Sequence, residues 1–195
     1  PYTPKGAEGD LKKMIEKKGE VGMMSFPVWY VALEAPNYPK AAFPEGIPVW
    51  FHVDGFSGDI HEMNTINHYV GMYPLEDGAK IERALGPFLM LGISLLMILF
   101  ICIRKKWSWI LMLPSALFPL GFFAFYSGWM YWFGHNMQEW GAFKIKAFMP
   151  TALGVGHVAH FTTKSFPSVG FWVLVIIAVL SALAILARRN ELKKQ

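Results

Sequence analysis

The chain has 195 residues, 54% of them hydrophobic and 16% charged, which is too apolar for an ordinary soluble domain of that length. The net charge of +4 does not describe a nucleic-acid surface: residues 1–84 carry 8 basic and 12 acidic side chains, while Arg104-Lys105-Lys106 and the tail 188–195 contribute +3 each. Basic residues beside apolar segments are topology signals, and the single cysteine, Cys102, excludes a disulfide framework or thiolate cluster made by this chain alone.

Residues 1–84 read as a small extracytoplasmic α+β head. Gly9 to Gly19, GDLKKMIEKKG, predicts a short solvated helix. Ser25–Leu33 and Ile47–Asp54 are rich in β-branched and aromatic residues and predict strands, with Pro27 and Pro48 at strand starts or edges. Glu34–Gly46 is a proline-rich connection. Asp59 and Glu62 have capping-box spacing, which predicts a short helix through Tyr69 that ends at Gly71. So small a head is short of a self-sufficient core. It is expected to lean on the spanning helices, on the 134–167 segment or on a partner protein.

Three apolar segments follow. Leu85–Ile103 is uncharged, and its ~19 residues at ~1.5 Å each cross a hydrocarbon core of about 30 Å. Pro87 is expected in its first turn, where a missing N–H costs little. Residues 104–106 form a short basic turn, and Trp107–Phe133 is the second span, with a kink expected from Pro114 and Pro119. Residues 134–167 read as a second extracytoplasmic loop, and 168–187 as the third span, stopped by Arg188 and Arg189. The positive-inside rule then puts 104–106 and 188–195 in the cytoplasm. The expected location is a bacterial inner membrane with both remaining segments periplasmic, so that all six histidines share one side. Trp107, Trp109, Trp129, Trp132 and Trp172 fall near span ends, as an interfacial belt would. Nothing at Pro1 resembles a secretory signal, so export of the head implies a leader removed or lying upstream.

The polar constellations lie in the two exported segments. On a helix His61, Asn64 and His68 share a face, and His68 and Met72 have the four-residue spacing that sets two ligands side by side. The second segment offers His135, Met137 and Met149, then His157 and His160, which one helical turn would present together after Gly154 and Gly156. Histidine and methionine without cysteine is a donor set for copper in an oxidising compartment; Asp59 and Glu62 keep zinc open. Against this, a lone exported histidine ordinarily serves as a hydrogen-bonding residue, and Met90, Met97, Met112 and Met130 read as packing. No nucleophile elbow, phosphate loop, dinucleotide fingerprint or haem-attachment motif occurs. The spans carry no charge of the kind a proton relay needs.

Several segments together, FPVWYVALEAPNYPK, GDIHEMNTINHYVGMYPLE, WFGHN and KIKAFMP, resemble a little-characterised family of bacterial membrane proteins associated with gene neighbourhoods for nitrous oxide reductase maturation and copper-dependent respiration. The most specific pieces are Asn67-His68-Tyr69-Val70-Gly71-Met72 and Gly134-His135-Asn136. The resemblance implies a copper-related extracytoplasmic role and points to His68, Met72, His135 and Met149; His157-x-x-His160 falls outside the shared pattern. Two functions are therefore expected. One is a membrane-anchored copper-binding or copper-handling protein. The other is a non-catalytic accessory subunit of a larger membrane enzyme, such as a copper monooxygenase or respiratory oxidase, with membrane proteins as partners. An enzyme acting alone ranks behind both.

Overall fold

The computed structural model describes residues 26–36, 40, 42–142, 145–158 and 160–193. The helix expected over 9–19, Met23, Met24 and Lys194 lie outside them.

Alternation of side chains explains the sheet. In β1 (Trp29–Glu34), Trp29, Val31 and Leu33 face one way, and their partners on β2 (Ile47–Phe51) are Phe51, Val49 and Ile47. That face is apolar and meets the helices. The other face carries Tyr30 against Trp50, and Glu34 ion-paired to Lys164 at 2.8 Å. β3 (Phe56–Gly58) extends the sheet beyond β2.

The segment expected to be a loop over 134–167 supplies two more strands. β4 (Gly154–Val158) and β5 (Phe161–Pro167) form a hairpin, and β5 pairs antiparallel with β1 from Trp29↔Pro167 to Glu34↔Thr162. The sheet thus has five strands, ordered β3-β2-β1-β5-β4, with strands from the segments before the first and after the second long helix. The glycines in β4 and the Thr-Lys-Ser run in β5 hide this hairpin from a hydrophobicity reading. What fixes it is the inner face of β1, which needs a second neighbour to leave water.

Among the described residues there are four α-helices. α1 (Ile60–Tyr69) buries Met63, Ile66 and Asn67 beneath the sheet, in a core with Leu33, Ile47, Val49 and Phe56. The expected capping box does not form: the Asp59 side chain makes no capping hydrogen bond. The expected end does occur. Gly71 adopts φ +79°, its N–H donates to the His68 carbonyl at 3.1 Å, and the Met72 N–H donates to the Asn67 carbonyl at 2.7 Å. That is a Schellman stop, which needs the left-handed conformation glycine allows.

α2 (Lys80–Cys102), α3 (Leu113–His135) and α4 (Val169–Lys193) are long and apolar enough to cross a membrane. α2 starts ahead of the expected Leu85, with Lys80 ion-paired to Asp77 at 2.6 Å and Glu82 in its first turn, where the helix dipole favours an acid. Pro87 is therefore inside the helix, not in its first turn, and removes the N–H that would have met the Arg83 carbonyl. Residues Ser108–Met112 form a 3-10 segment before α3, which puts Pro114 in the first turn of α3 and Pro119 in its interior. Arg188 and Arg189 end the apolar stretch of α4 but not the helix, since arginine is a good helix former. Arg188 instead reaches α2, donating to the Ile103 carbonyl at 3.2 Å with its Cζ 4.7 Å over the Phe100 ring, a favourable place for a cation at a helix C-terminus.

One tryptophan joins the two layers. Trp29 is 1% exposed. Its ring lies 5.0 Å from Tyr126 and 5.2 Å from Phe171, and its indole N–H donates to Ser165 Oγ at 2.8 Å. Ser165 in turn donates to the Ala152 carbonyl at 2.9 Å and sits 3.2 Å from the Tyr126 hydroxyl. The start of α4 docks on the residues leading into β1, with the Gly170 N–H donating to the Pro27 carbonyl at 2.8 Å, so one of that helix's orphan donors is satisfied there.

Candidate functional site

The sequence-predicted ligands are spread over several surfaces. His61 and His68 are exposed on α1. His68 stacks on Trp140 at 6.2 Å. Asn64, expected beside them, braces the chain that follows: its Nδ2 donates to Glu76 Oε2 at 2.7 Å, and its Oδ1 accepts from the Leu75 N–H at 2.9 Å. The turn at Gly71 carries Met72 away from His68, into contact with the cluster around Trp29, Tyr126 and Phe133. His135, at the end of α3, lies 3.7 Å from the Tyr131 ring, with Nδ1 2.8 Å from the Tyr131 carbonyl. His157 is on β4 and His160 in the turn after it, so no helix pairs them; His157 Nδ1 meets Thr162 Oγ1 at 3.0 Å. Met149 is exposed. Among the described residues no three His, Cys, Asp or Glu side chains gather as a metal group.

The segments before α2 and after α3 do meet. The Gln138 N–H donates to the Gly71 carbonyl at 2.7 Å, and β5 pairs with β1. Between them, the sheet, α1 and α3 leave a partly open cavity of about 90 Å³, lined in part by Met63, Met72 and Met130. These are neutral, polarisable thioethers beside aromatic and aliphatic side chains.

A much larger space lies between α2 and α3. Its volume is about 510 Å³, within the range of about 300–1,000 Å³ for small-molecule sites. It forms because α2 touches the rest of the molecule chiefly at its two ends. At the sheet end Gly86 sits so close to Val53 that a Cβ would stand 2.6 Å from the Val53 carbonyl oxygen. At the other end Phe100 packs with Met112 and Ile185. Between those points Leu89 faces Leu117, Phe118 and Phe122 across the gap. Gly121 lines it too, and a Cβ built there meets nothing within 4 Å. The lining on α3 runs from Pro114 to Phe133, roughly 28 Å at ~1.5 Å per residue. The space is therefore long, following α3 for most of its length.

The groove is polar only where it reaches the sheet. His52, Glu82 and Arg83 line it there. The Arg83 Nε–H donates to the Gly78 carbonyl at 3.1 Å, Nη2 donates to the Glu76 carbonyl at 2.6 Å, and Cζ lies 4.7 Å over the Phe56 ring. His52 Nε2 is 2.8 Å from Ser57 Oγ. Sequence reading missed this site because its residues look like ordinary span residues. The available signals were a charged pair one turn ahead of the apolar run and a glycine in the middle of α3.

No known protein family, curated protein or solved structure matches the chain.

Proposed function

We propose that this is a membrane-spanning binding protein that holds the long apolar part of a membrane-borne amphiphile between α2 and α3. The three helices cross a bacterial inner membrane, with Arg104-Lys105-Lys106 and the α4 tail in the cytoplasm and the sheet over the periplasmic end of the groove. The observation that carries this reading is the groove: about 510 Å³, apolar along α3, polar only at its sheet end. A bilayer does not leave such a space empty, because an unfilled void forfeits dispersion contacts on both walls. Gly121→Phe places a ring in the open space beside it. Protein purified in mild detergent is expected to carry an amphiphile in native mass spectra, and the G121F protein to lose it. Equal retention by both proteins overturns the reading. Co-purification of a partner's transmembrane helix in the groove would replace it with the accessory-subunit function.

A copper-handling role is a second reading. It is supported by the resemblance described above and by Met63, Met72 and Met130 lining one cavity, since thioethers suit Cu(I). The exposed histidines fit it less well, being engaged singly with Trp140, Tyr131 and Thr162. Titration with Cu(I) against a chromophoric chelator tests it. Binding weakened by Met72→Leu supports the reading, and binding that survives M72L and H68A together excludes these ligands.

A further inference from the structure

Resting on the amphiphile reading, we infer that the ligand is a phospholipid whose phosphate is held by Arg83. The guanidinium is fixed on one side by uncharged partners, the Gly78 and Glu76 carbonyls and the Phe56 ring. An arginine presents five N–H donors in a rigid fork, and these bonds use one at Nε and one at Nη2. Both Nη1 hydrogens remain for a ligand in the groove that Arg83 lines. No carboxylate among the described residues pairs with it at ion-pair distance. The Glu76 carboxylate acts on Arg83 through space without forming an ion pair, and accepts from Asn64 Nδ2 at 2.7 Å. A partly buried arginine without a carboxylate partner is a fitting site for a phosphodiester, which the fork can grip with two parallel bonds.

Charge and shape agree with that choice. Arg83 lies near the N-terminus of α2, whose helix dipole favours an anion. Glu82, next to it, also lines the groove and supplies the opposite charge for an ammonium group. The pair complements a zwitterionic head, while the apolar wall of α3 takes the chain. A tail ending in a neutral ring would leave Nη1 of Arg83 without an anionic acceptor.

The test compares two lipids with identical chains in native mass spectrometry of the full-length protein. One is phosphatidylethanolamine, and the other is the diacylglycerol that lacks its head. Wild-type protein is expected to prefer the phospholipid by at least about tenfold, the least that losing a charged hydrogen bond implies. Arg83→Gln should abolish that preference, and Arg83→Lys should restore part of it. Gly121→Phe should remove both lipids. Equal binding of the two lipids by wild-type protein overturns the phosphate assignment and leaves the groove reading standing. Unchanged binding of both by G121F overturns the groove reading as well. Should R83Q fail to fold, the wild-type comparison alone still decides.

Discussion

Replacing Trp29 by alanine should separate the sheet from the helices. The side chain is 1% exposed and touches rings on both α3 and α4. Truncating a buried aromatic of this size costs about 3–5 kcal/mol. Little is added by the lost indole bond, because Ser165 keeps the Ala152 carbonyl as acceptor and Tyr126 as neighbour. For a domain of this length ~1 kcal/mol moves the melting temperature by about 2–4 °C, so a fall of about 6–20 °C is expected. Differential scanning fluorimetry in detergent measures it, and limited proteolysis shows which layer opens. Trp29→Phe isolates the hydrogen bond and should cost less, because most of the ring contact is kept. A W29A protein that melts within about 2 °C of wild type would refute the role of Trp29 as the pin between the layers, as would preferential cleavage in the long helices.

Other sites give independent tests. Lys164, hydrogen-bonded to Glu34, holds that carboxyl below its ordinary value of 4.5. A depressed folded pKa means the stabilisation is full above 4.5 and fades as pH falls through the lower folded value, so Glu34→Gln should flatten the acid limb of a stability–pH curve, with a small loss at neutral pH that disappears in acid. Lys164 is raised from 10.5 chiefly by its bond to Glu34. Its share is therefore present below 10.5 and lost above, and Lys164→Met should flatten the alkaline limb as well. Gly71→Ala forces an alanine to φ +79°, with its Cβ 2.6 Å from the Gln138 carbonyl oxygen. The expected cost is at least about 1–2 kcal/mol, read as a lower melting temperature and faster exchange of the Met72 amide. Arg188→Gln removes the cation above Phe100 and weakens the cap on α2. A loss of about 1 kcal/mol is expected, with greater protease access at 104–106.

The three apolar helices are legible in the sequence because they are long, uncharged in their bodies and bounded by basic residues. β1, β2 and the stop of α1 at Gly71 are legible for similar local reasons. β4 and β5 are not. The glycines of β4 and the polar centre of β5 outweigh their valines, phenylalanines and threonines as a strand signal, and the strands exist because β1 offers an unpaired edge to a segment more than a hundred residues away. His68 and Met72 show the same limit at the scale of one turn. Four-residue spacing pairs two side chains only while the helix lasts, and it ends at Tyr69, so Met72 turns to the core and His68 to Trp140. The groove is the least legible feature of all. A gap between helices is set by where they touch, and the residues that touch, Gly86 with Val53 and Phe100 with Met112 and Ile185, are unremarkable in sequence.

Those contacts also explain why the groove keeps its shape. The chain passes through β1–β3 and α1 before α2, and returns through β4 and β5 after α3. Since β5 pairs with β1, the α2–α3 hairpin begins and ends on a single sheet. α3 is fixed to that sheet through Tyr126 and Trp29, and α4 through Gly170 and Pro27. α2 has no comparable partner along its length and is held at Gly86 by Val53 and at Phe100 by Arg188 and Ile185. A helix clamped at both ends cannot swing in to close a gap at its middle without giving up one clamp. The space beside Gly121 therefore persists with its polar end under β2 and β3, and that persistence is what the proposed binding role requires.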